Sequence, residues 1–201
     1  FAFEGCTSLE NADIQGEIST VSCSLFYSCS KLKSVILPQT VTSIDSMAFK
    51  NCVILEDFGI PPQVAAIGDE SFYGCSKLVS ITIPEFVTSI EARTFYSCSG
   101  LKEIEIQFGV EMIRDAAFFS CSSLESIVIP ESVILLSYQS FNDCTKLNSV
   151  TYLGPRNPAY SGDIFLGTSV TFAYVPSYFA DPKFCDYPIQ YLPSATFSFS
   201  N

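Results

Sequence analysis

The sequence predicts an α/β repeat solenoid of 23-residue units, with short parallel β-strands on one face and short helical or 3₁₀ turns opposite. Three observations predict it. Cysteine recurs on one register, at Cys6, Cys29, Cys52, Cys75, Cys98, Cys121 and Cys144, always 23 residues apart. Other columns keep that register: Phe three residues before each cysteine (Phe3, Phe26, Phe49, Phe72, Phe95, Phe118, Phe141) and Leu three after (Leu9, Leu32, Leu55, Leu78, Leu101, Leu124, Leu147). A proline then closes several units, at Pro38, Pro61, Pro84 and Pro130. No single unit can bury its own apolar side chains, but units stacked ~4.8 Å apart bury them in continuous columns.

Within a unit, the residues six and eight after the cysteine are apolar: Val35 and Leu37, Ile81 and Ile83, Ile104 and Ile106, Ile127 and Ile129. That period of two points both side chains inward from a strand. Strands are expected at 33–37, 56–60, 79–83, 102–106, 125–129 and 148–152, in a right-handed coil. Proline ends each strand because it has no N–H for the ladder. A V-x-x-I segment follows (Val41 and Ile44, Val64 and Ile67, Val87 and Ile90, Val110 and Ile113) and is expected to turn the corner. The A-F-x-x-C segment is then expected to form a helical or 3₁₀ turn with Phe and Cys facing in.

The register continues beyond the last column cysteine. Val170, Ala173, Val175 and Pro176 match Leu32, Val35, Leu37 and Pro38 place for place, which predicts a degenerate eighth strand. Gly154-Pro155-Arg156-Asn157-Pro158 has loop chemistry. Beyond Pro176 the chain turns aromatic and proline-rich through Phe179, Phe184, Tyr187, Pro188, Tyr191, Phe197 and Phe199. An open solenoid end exposes its core, so atypical terminal units cover it. Two regions are therefore expected: repeats over 1–152, and a degenerate eighth repeat with a C-terminal cap over 153–201. The chain opens on Phe1-Ala2-Phe3 inside a repeat, the expectation for a truncated N-terminus.

Composition narrows the function classes. Hydrophobic residues make up 48% and charged residues 15%, the balance of a packed chain and not of a disordered one. Ten Lys+Arg against 21 Asp+Glu give a formal charge of −11, which repels nucleic-acid phosphates and anionic lipid headgroups. The absence of histidine removes the usual general base and a usual zinc ligand. No phosphate loop and no nucleophile paired with a base is apparent, so neither enzyme, cofactor, metal nor small-molecule substrate is expected. No sequon for N-glycosylation occurs; Asn142-Asp143-Cys144 is the weak cysteine variant.

The column cysteines lie in different units with sulfurs ~5 Å apart, too far for disulfides and without the close spacing of a zinc site. They read as buried thiols acting as small apolar residues. Cys23 and Cys185 lie off the column, at opposite ends, cannot bridge each other, and are the thiols expected to be open to solvent and to a thiol reagent in the native chain. The Phe column reads as a core spine. The aromatic residues two before the cysteine (Tyr27, Tyr73, Tyr96, Phe119) neighbour an inward Phe and should point outward or sideways, either packing between turns or forming an interface stripe.

The open face of the sheet carries the residues five and seven after each cysteine, and these change from unit to unit while the core columns hold their type. Asp57, Ser80, Thr82, Glu103, Glu105 and Ser126 are the candidate binding residues, with Tyr27, Tyr73, Tyr96 and Phe119 as the alternative surface. Asp57, Glu103 and Glu105 make the sheet face acidic. Paired carboxylates serve glycoside hydrolysis, but Glu103 and Glu105 lie on one exposed strand without a pocket. Calcium would need an oxygen-rich loop that is not apparent.

The unit C-x-x-L-x-x-[IV]-x-[IL]-P-x-x-V-x-x-I-x-x-x-A-F-x-x begins like a leucine-rich repeat, and its paired A-F-x-x-C and L-x-x-I-x-I-P spacing resembles the BspA-like leucine-rich-repeat proteins, the Treponema pallidum type. The resemblance covers 1–150. The tail, in Phe172-Ala173-Tyr174-Val175-Pro176 and Phe184-Cys185, is similar to the ending of protist members such as those of Trichomonas. The resemblance implies a cell-surface or secreted module that adheres to host extracellular-matrix or cell-surface proteins. The competing expectation is a structural spacer or coat domain with no ligand of its own. A binder should show mixed polar and aromatic residues in one patch, a spacer uniformly polar columns.

Overall fold

The computed structural model describes residues 2–193. Phe197 and Phe199, assigned to the cap from sequence, lie outside the described residues. The strands in chain order are β1 (Asn11–Asp13), β2 (Thr20–Val21), β3 (Ser34–Ile36), β4 (Ser43–Ile44), β5 (Ala66–Ile67), β6 (Ser80–Ile83), β7 (Ser89–Ile90) and β8 (Glu103–Ile106). They continue with β9 (Met112–Ile113), β10 (Ser126–Ile129), β11 (Leu135–Leu136), β12 (Ser149–Tyr152), β13 (Ala159–Tyr160), β14 (Ala173–Val175) and β15 (Ile189–Tyr191). Every strand ladder is parallel, and most of its partners are one 23-residue unit apart, as in Ser80↔Glu103 through Ile83↔Ile106 and Ser126↔Ser149 through Ile129↔Tyr152. The chain is thus a parallel β-solenoid of about seven 23-residue coils.

The first side is the expected sheet, built from β1, β3, β6, β8, β10, β12, β14 and β15. Its inward side chains are the period-two pairs: Ile81, Ile83, Ile127, Ile129, Val150 and Tyr152 are buried while Thr82 and Val128 between them are exposed. Proline acts as anticipated. Where a unit has a residue with an N–H in its place, that N–H continues the ladder, from Gln107 to the Ile83 carbonyl at 3.2 Å and from Leu153 to Ile129 at 3.0 Å.

The strand expected at 56–60 does not form; Asp57 alone bridges Ser34 and Ser80. Two features explain this. Phe58 stands where the neighbouring coils carry Val35 and Ile81, and its ring wedges between Phe49 (4.7 Å between centroids) and Phe72 (5.1 Å). Gly59 beside it has no side chain to pair across the strands, and a proline pair, Pro61-Pro62, follows.

The V-x-x-I segment does more than turn a corner. Its residues form a second column of two-residue parallel strands, β2–β4–β5 and β7–β9–β11–β13, with Ile44, Ile67, Ile90, Ile113 and Leu136 buried beneath it.

The third side corrects the sequence reading. No helix forms among the described residues, and the helical or 3₁₀ turns expected opposite the sheet are absent. In six successive coils, from Ser24 to Asp143, two residues four apart take left-handed backbone angles: among them Ser24 and Ser28 (φ 55° and 57°), Arg93 and Ser97 (54° and 57°), and Ala116 and Ser120 (53° and 58°). A helix needs consecutive right-handed residues whose N–H groups all point back along one chain. Here alternate N–H groups point along the rod instead: Ser24, Phe26 and Ser28 donate to the Ser46, Ala48 and Lys50 carbonyls of the next coil, at 3.1, 2.8 and 2.7 Å. Those between, Leu25, Tyr27 and Cys29, reach back three residues in tight turns. Left-handed residues other than glycine are strained, and the inter-coil hydrogen bonds offset that strain.

The Phe column is the core spine. Successive rings from Phe3 to Phe141 stack at 5.1 to 5.6 Å with interplanar angles of 13° or less. Phe165 extends it, 5.5 Å from Phe141, and Tyr152, Phe184 and Tyr187 pack around that end.

All nine cysteines are free thiols. The column does more than fill space: each buried thiol donates to a carbonyl of the coil before, Cys52 to Phe26 (3.1 Å), Cys75 to Phe49 (3.2 Å), Cys98 to Phe72 (3.1 Å) and Cys121 to Phe95 (3.2 Å). Burial pushes Cys52 and Cys98 up to about 12. Cys185, expected from sequence to be open to solvent, is buried, and that burial, with the charge of Asp186, raises its pKa strongly. A thiol reagent on the native protein should therefore react first at exposed Cys23, then at half-buried Cys6, and reach all nine only after denaturation. Fast native labelling of Cys75 or Cys98, followed by peptide mass analysis, would contradict the thiol ladder.

Candidate functional site

The sheet face is built by the outward residues of consecutive coils. Ladder register sets Glu103 opposite Ser80 and Glu105 opposite Thr82, and the Thr82 hydroxyl donates to Glu105 Oε2 at 3.3 Å. These four residues line a groove of about 330 Å³ whose floor is Phe58, Gly59 and Ile81. The groove exists because Gly59 contributes no side chain to the outward column. Asp57 and Ser126 lie on the same exposed face but outside the groove lining. Ser126 is on β10, which is not hydrogen-bonded to β8, so the ladder is interrupted beside it.

The face is mixed, not uniformly polar. Ile36 (63% exposed) and Val128 (50% exposed) flank the acidic stretch at either end. The apolar component is aliphatic, where an aromatic one was expected of a binder.

The aromatic stripe is a separate surface. Tyr73, Tyr96 and Phe119 stack face to face, at 4.7 Å and 1° and then 4.8 Å and 5°. Tyr27 is not part of the stack, because Lys50 occupies the intervening place in the column and lays its ammonium over the Tyr73 ring, 4.5 Å from the centroid. All four aromatic residues are half-buried.

Sequence reasoning missed the column beside this stripe. Five residues before each cysteine stand Glu70, Arg93, Ala116 and Gln139. Glu70 receives Lys50 and Arg93, the latter at 3.4 Å. The hydrogen bond from the Lys50 ammonium, with its charge and the Arg93 guanidinium, holds the Glu70 carboxyl below the usual range against its partial burial. Ala116 is the small member of the column, and above it the surface dips into a groove of about 450 Å³. The signal was present in the sequence as a change of residue type along one column, but nothing there says which way that column faces.

Among the described residues no His, Cys, Asp and Glu side chains gather in threes to hold a metal ion, and no helix is long and apolar enough to cross a membrane.

A family model described as the BspA type leucine rich repeat region matches the chain in six copies, over residues 1–124 and 65–181. No curated protein matches the chain. Among solved structures, the pneumococcal vaccine antigen PcpA is 17% identical, with 87% of this chain and 59% of that chain covered at a TM-score of 0.54, and it shares the fold. A leucine rich cell surface protein from Faecalibacterium prausnitzii is 22% identical over 96% of this chain and 62% of that one, with a TM-score of 0.41. A T. pallidum leucine rich repeat protein is 24% identical over 61% of this chain and 68% of that one, with a TM-score of 0.47. The chain thus spans about three fifths of the first two of these proteins.

Proposed function

The chain belongs to the BspA-type leucine-rich repeat family, and from that premise we propose that it is a non-enzymatic, cell-surface or secreted module that binds host extracellular-matrix or cell-surface proteins through its sheet face. The observation that carries this reading is the sheet face itself: its outward residues change chemistry at every coil above inward columns that do not. A solenoid of this kind is a scaffold on which surface residues vary without disturbing the core. Surface location is supported by the descriptions of the Faecalibacterium cell surface protein and the pneumococcal antigen. In this proposal the described residues from 153 to 193 act as the degenerate eighth repeat and cap; the rest of the cap expected over 153–201 lies outside the described residues.

The binding residues are Asp57, Ser80, Thr82, Glu103, Glu105 and Ser126, and the partner presents a basic patch. Charged rims chiefly speed encounter and weaken with salt. Glu103→Lys with Glu105→Lys should slow association with captured matrix or epithelial protein by about tenfold at low salt. The melting temperature should stay nearly unchanged, since exposed charges add little stability. Surface plasmon resonance over a salt series reads the rate. Equal association rates for parent and variant would remove the sheet face as the site, and a chain that retains no matrix or epithelial protein at all would leave the spacer reading.

A further inference from the structure

The groove above Ala116 lies on the third side of the solenoid, away from the sheet face, and its chemistry has the opposite sign. Its lining carries Lys50, Arg93 and Glu70, two positive charges and one negative, hence a local charge of +1 in a chain of −11. Glu70 is already engaged by Lys50, and the Arg93 side chain is 58% exposed, so the guanidinium retains open donor positions. Gln139 adds an amide at the other end of the dip.

The aromatic wall has a polarity of its own. Tyr73, Tyr96 and Phe119 use their faces on one another, and Lys50 covers the remaining face of Tyr73. What they turn outward is ring edge, the electropositive rim of the quadrupole. A sugar ring stacks on an aromatic face, and five of the six faces here are taken; the sixth, on Phe119, is turned along the rod toward Asn142, which holds the next place in the column. A wall of ring edges beside a guanidinium and an amide suits oxygen acceptors: carbonyls and carboxylates. From Lys50 to Phe119 the wall spans three inter-coil steps, about 14 Å, or roughly four residues of extended peptide.

We propose that this groove is a second binding site, for an extended acidic peptide segment of a protein partner, with a partner carboxylate on Arg93 and Gln139 and partner backbone carbonyls along the Tyr73–Tyr96–Phe119 edge. The module then engages two partners of opposite charge on two sides, a basic patch on the sheet and an acidic segment on the turns.

The test uses a short acetylated peptide of alternating glutamate and valine, carrying a fluorophore, titrated against the whole chain at low ionic strength and read by anisotropy. Its counterpart with glutamine for glutamate is the neutral control. The glutamate peptide should bind about tenfold or more tighter than the glutamine peptide. Arg93→Gln should abolish that difference. Ala116→Gln should weaken binding by a similar factor by filling the dip; Gln139 already occupies the equivalent left-handed position (φ 56°), so the coil accommodates that side chain. Glu103→Lys with Glu105→Lys should leave peptide binding intact, which separates this site from the sheet face. No binding of the glutamate peptide, equal binding of both peptides, or an unaffected Arg93→Gln variant would each overturn the proposal. So would displacement of the peptide by polygalacturonate at lower concentration than by unlabelled peptide, which would assign the groove to acidic saccharides. Concentration-dependent self-association abolished by Arg93→Gln, without peptide binding, would overturn it in favour of a second copy of this chain.

Discussion

Phe95→Ala should lower stability by about 3–5 kcal/mol, the range for deleting a fully buried ring. Phe95 is completely buried and stacks between Phe72 at 5.4 Å and Phe118 at 5.3 Å. Its removal leaves a gap in the middle of the spine that neighbouring rings, already stacked at contact, cannot close. Tyr96→Ala, one residue on, should cost about 1–2 kcal/mol, because Tyr96 is half-buried and contributes chiefly two aromatic contacts. In a solenoid each coil touches only its neighbours, so a weakened central interface also loosens the coupling between the two halves. Thermal melts should show a lower and broader transition for Phe95→Ala than for Tyr96→Ala. Equal melting temperatures would reject the assignment of one column to the core and the next to the surface.

Alkali should unfold the protein well before its thiols ionise in the native state. Burial raises Cys52 and Cys98 from 9.0 to about 12 and raises Cys75 and Cys121 strongly as well. The unfolded chain releases the Cys52 and Cys98 protons from about pH 9, while the folded chain keeps them to about pH 12. Between those limits the unfolded state binds fewer protons, so stability is intact below pH 9 and falls as pH rises. At pH 10.5 Cys52 and Cys98 together account for a loss of about 4 kcal/mol, at 1.36 kcal/mol per thiol per pH unit. That is a large part of the 5–15 kcal/mol typical of a domain. Reactivity of the column thiols Cys52, Cys75, Cys98 and Cys121 toward a thiol reagent should appear together with loss of the β circular-dichroism signal, in one cooperative step. Cys52→Ser, whose hydroxyl does not titrate in this range, should reduce the slope of stability against pH by about one proton even though it lowers stability at neutral pH. Column thiols that titrate near pH 9 with the fold retained would refute the burial argument.

The sequence by itself determined the repeat length, the parallel stacking, the first-side strands other than the one expected at 56–60, and the inward columns. Each rests on a spacing that repeats: Phe, Cys and Leu at threes, the Val/Ile pair at twos, proline after them. The family match and the pneumococcal antigen's fold agree with that reading. Repetition made these features legible because every coil faces the same neighbours, so local pattern and global packing ask for the same residue. Three things only the tertiary structure decided. The A-F-x-x-C segment has the spacing of a helical turn, but its N–H groups are claimed by the next coil, and hydrogen bonds between coils cannot be read within one. Cys185 is off the column yet buried, because its neighbours Phe184 and Tyr187 pack against Tyr152 and Phe165, contacts between residues distant in the chain that no periodic pattern announces. The candidate surfaces followed the same division: the sheet face was legible from alternation alone. The groove above Ala116 was not, because it arises where Lys50, Glu70, Arg93 and Gln139 from successive coils converge, and a left-handed backbone, not a periodic pattern, sets the direction of that column.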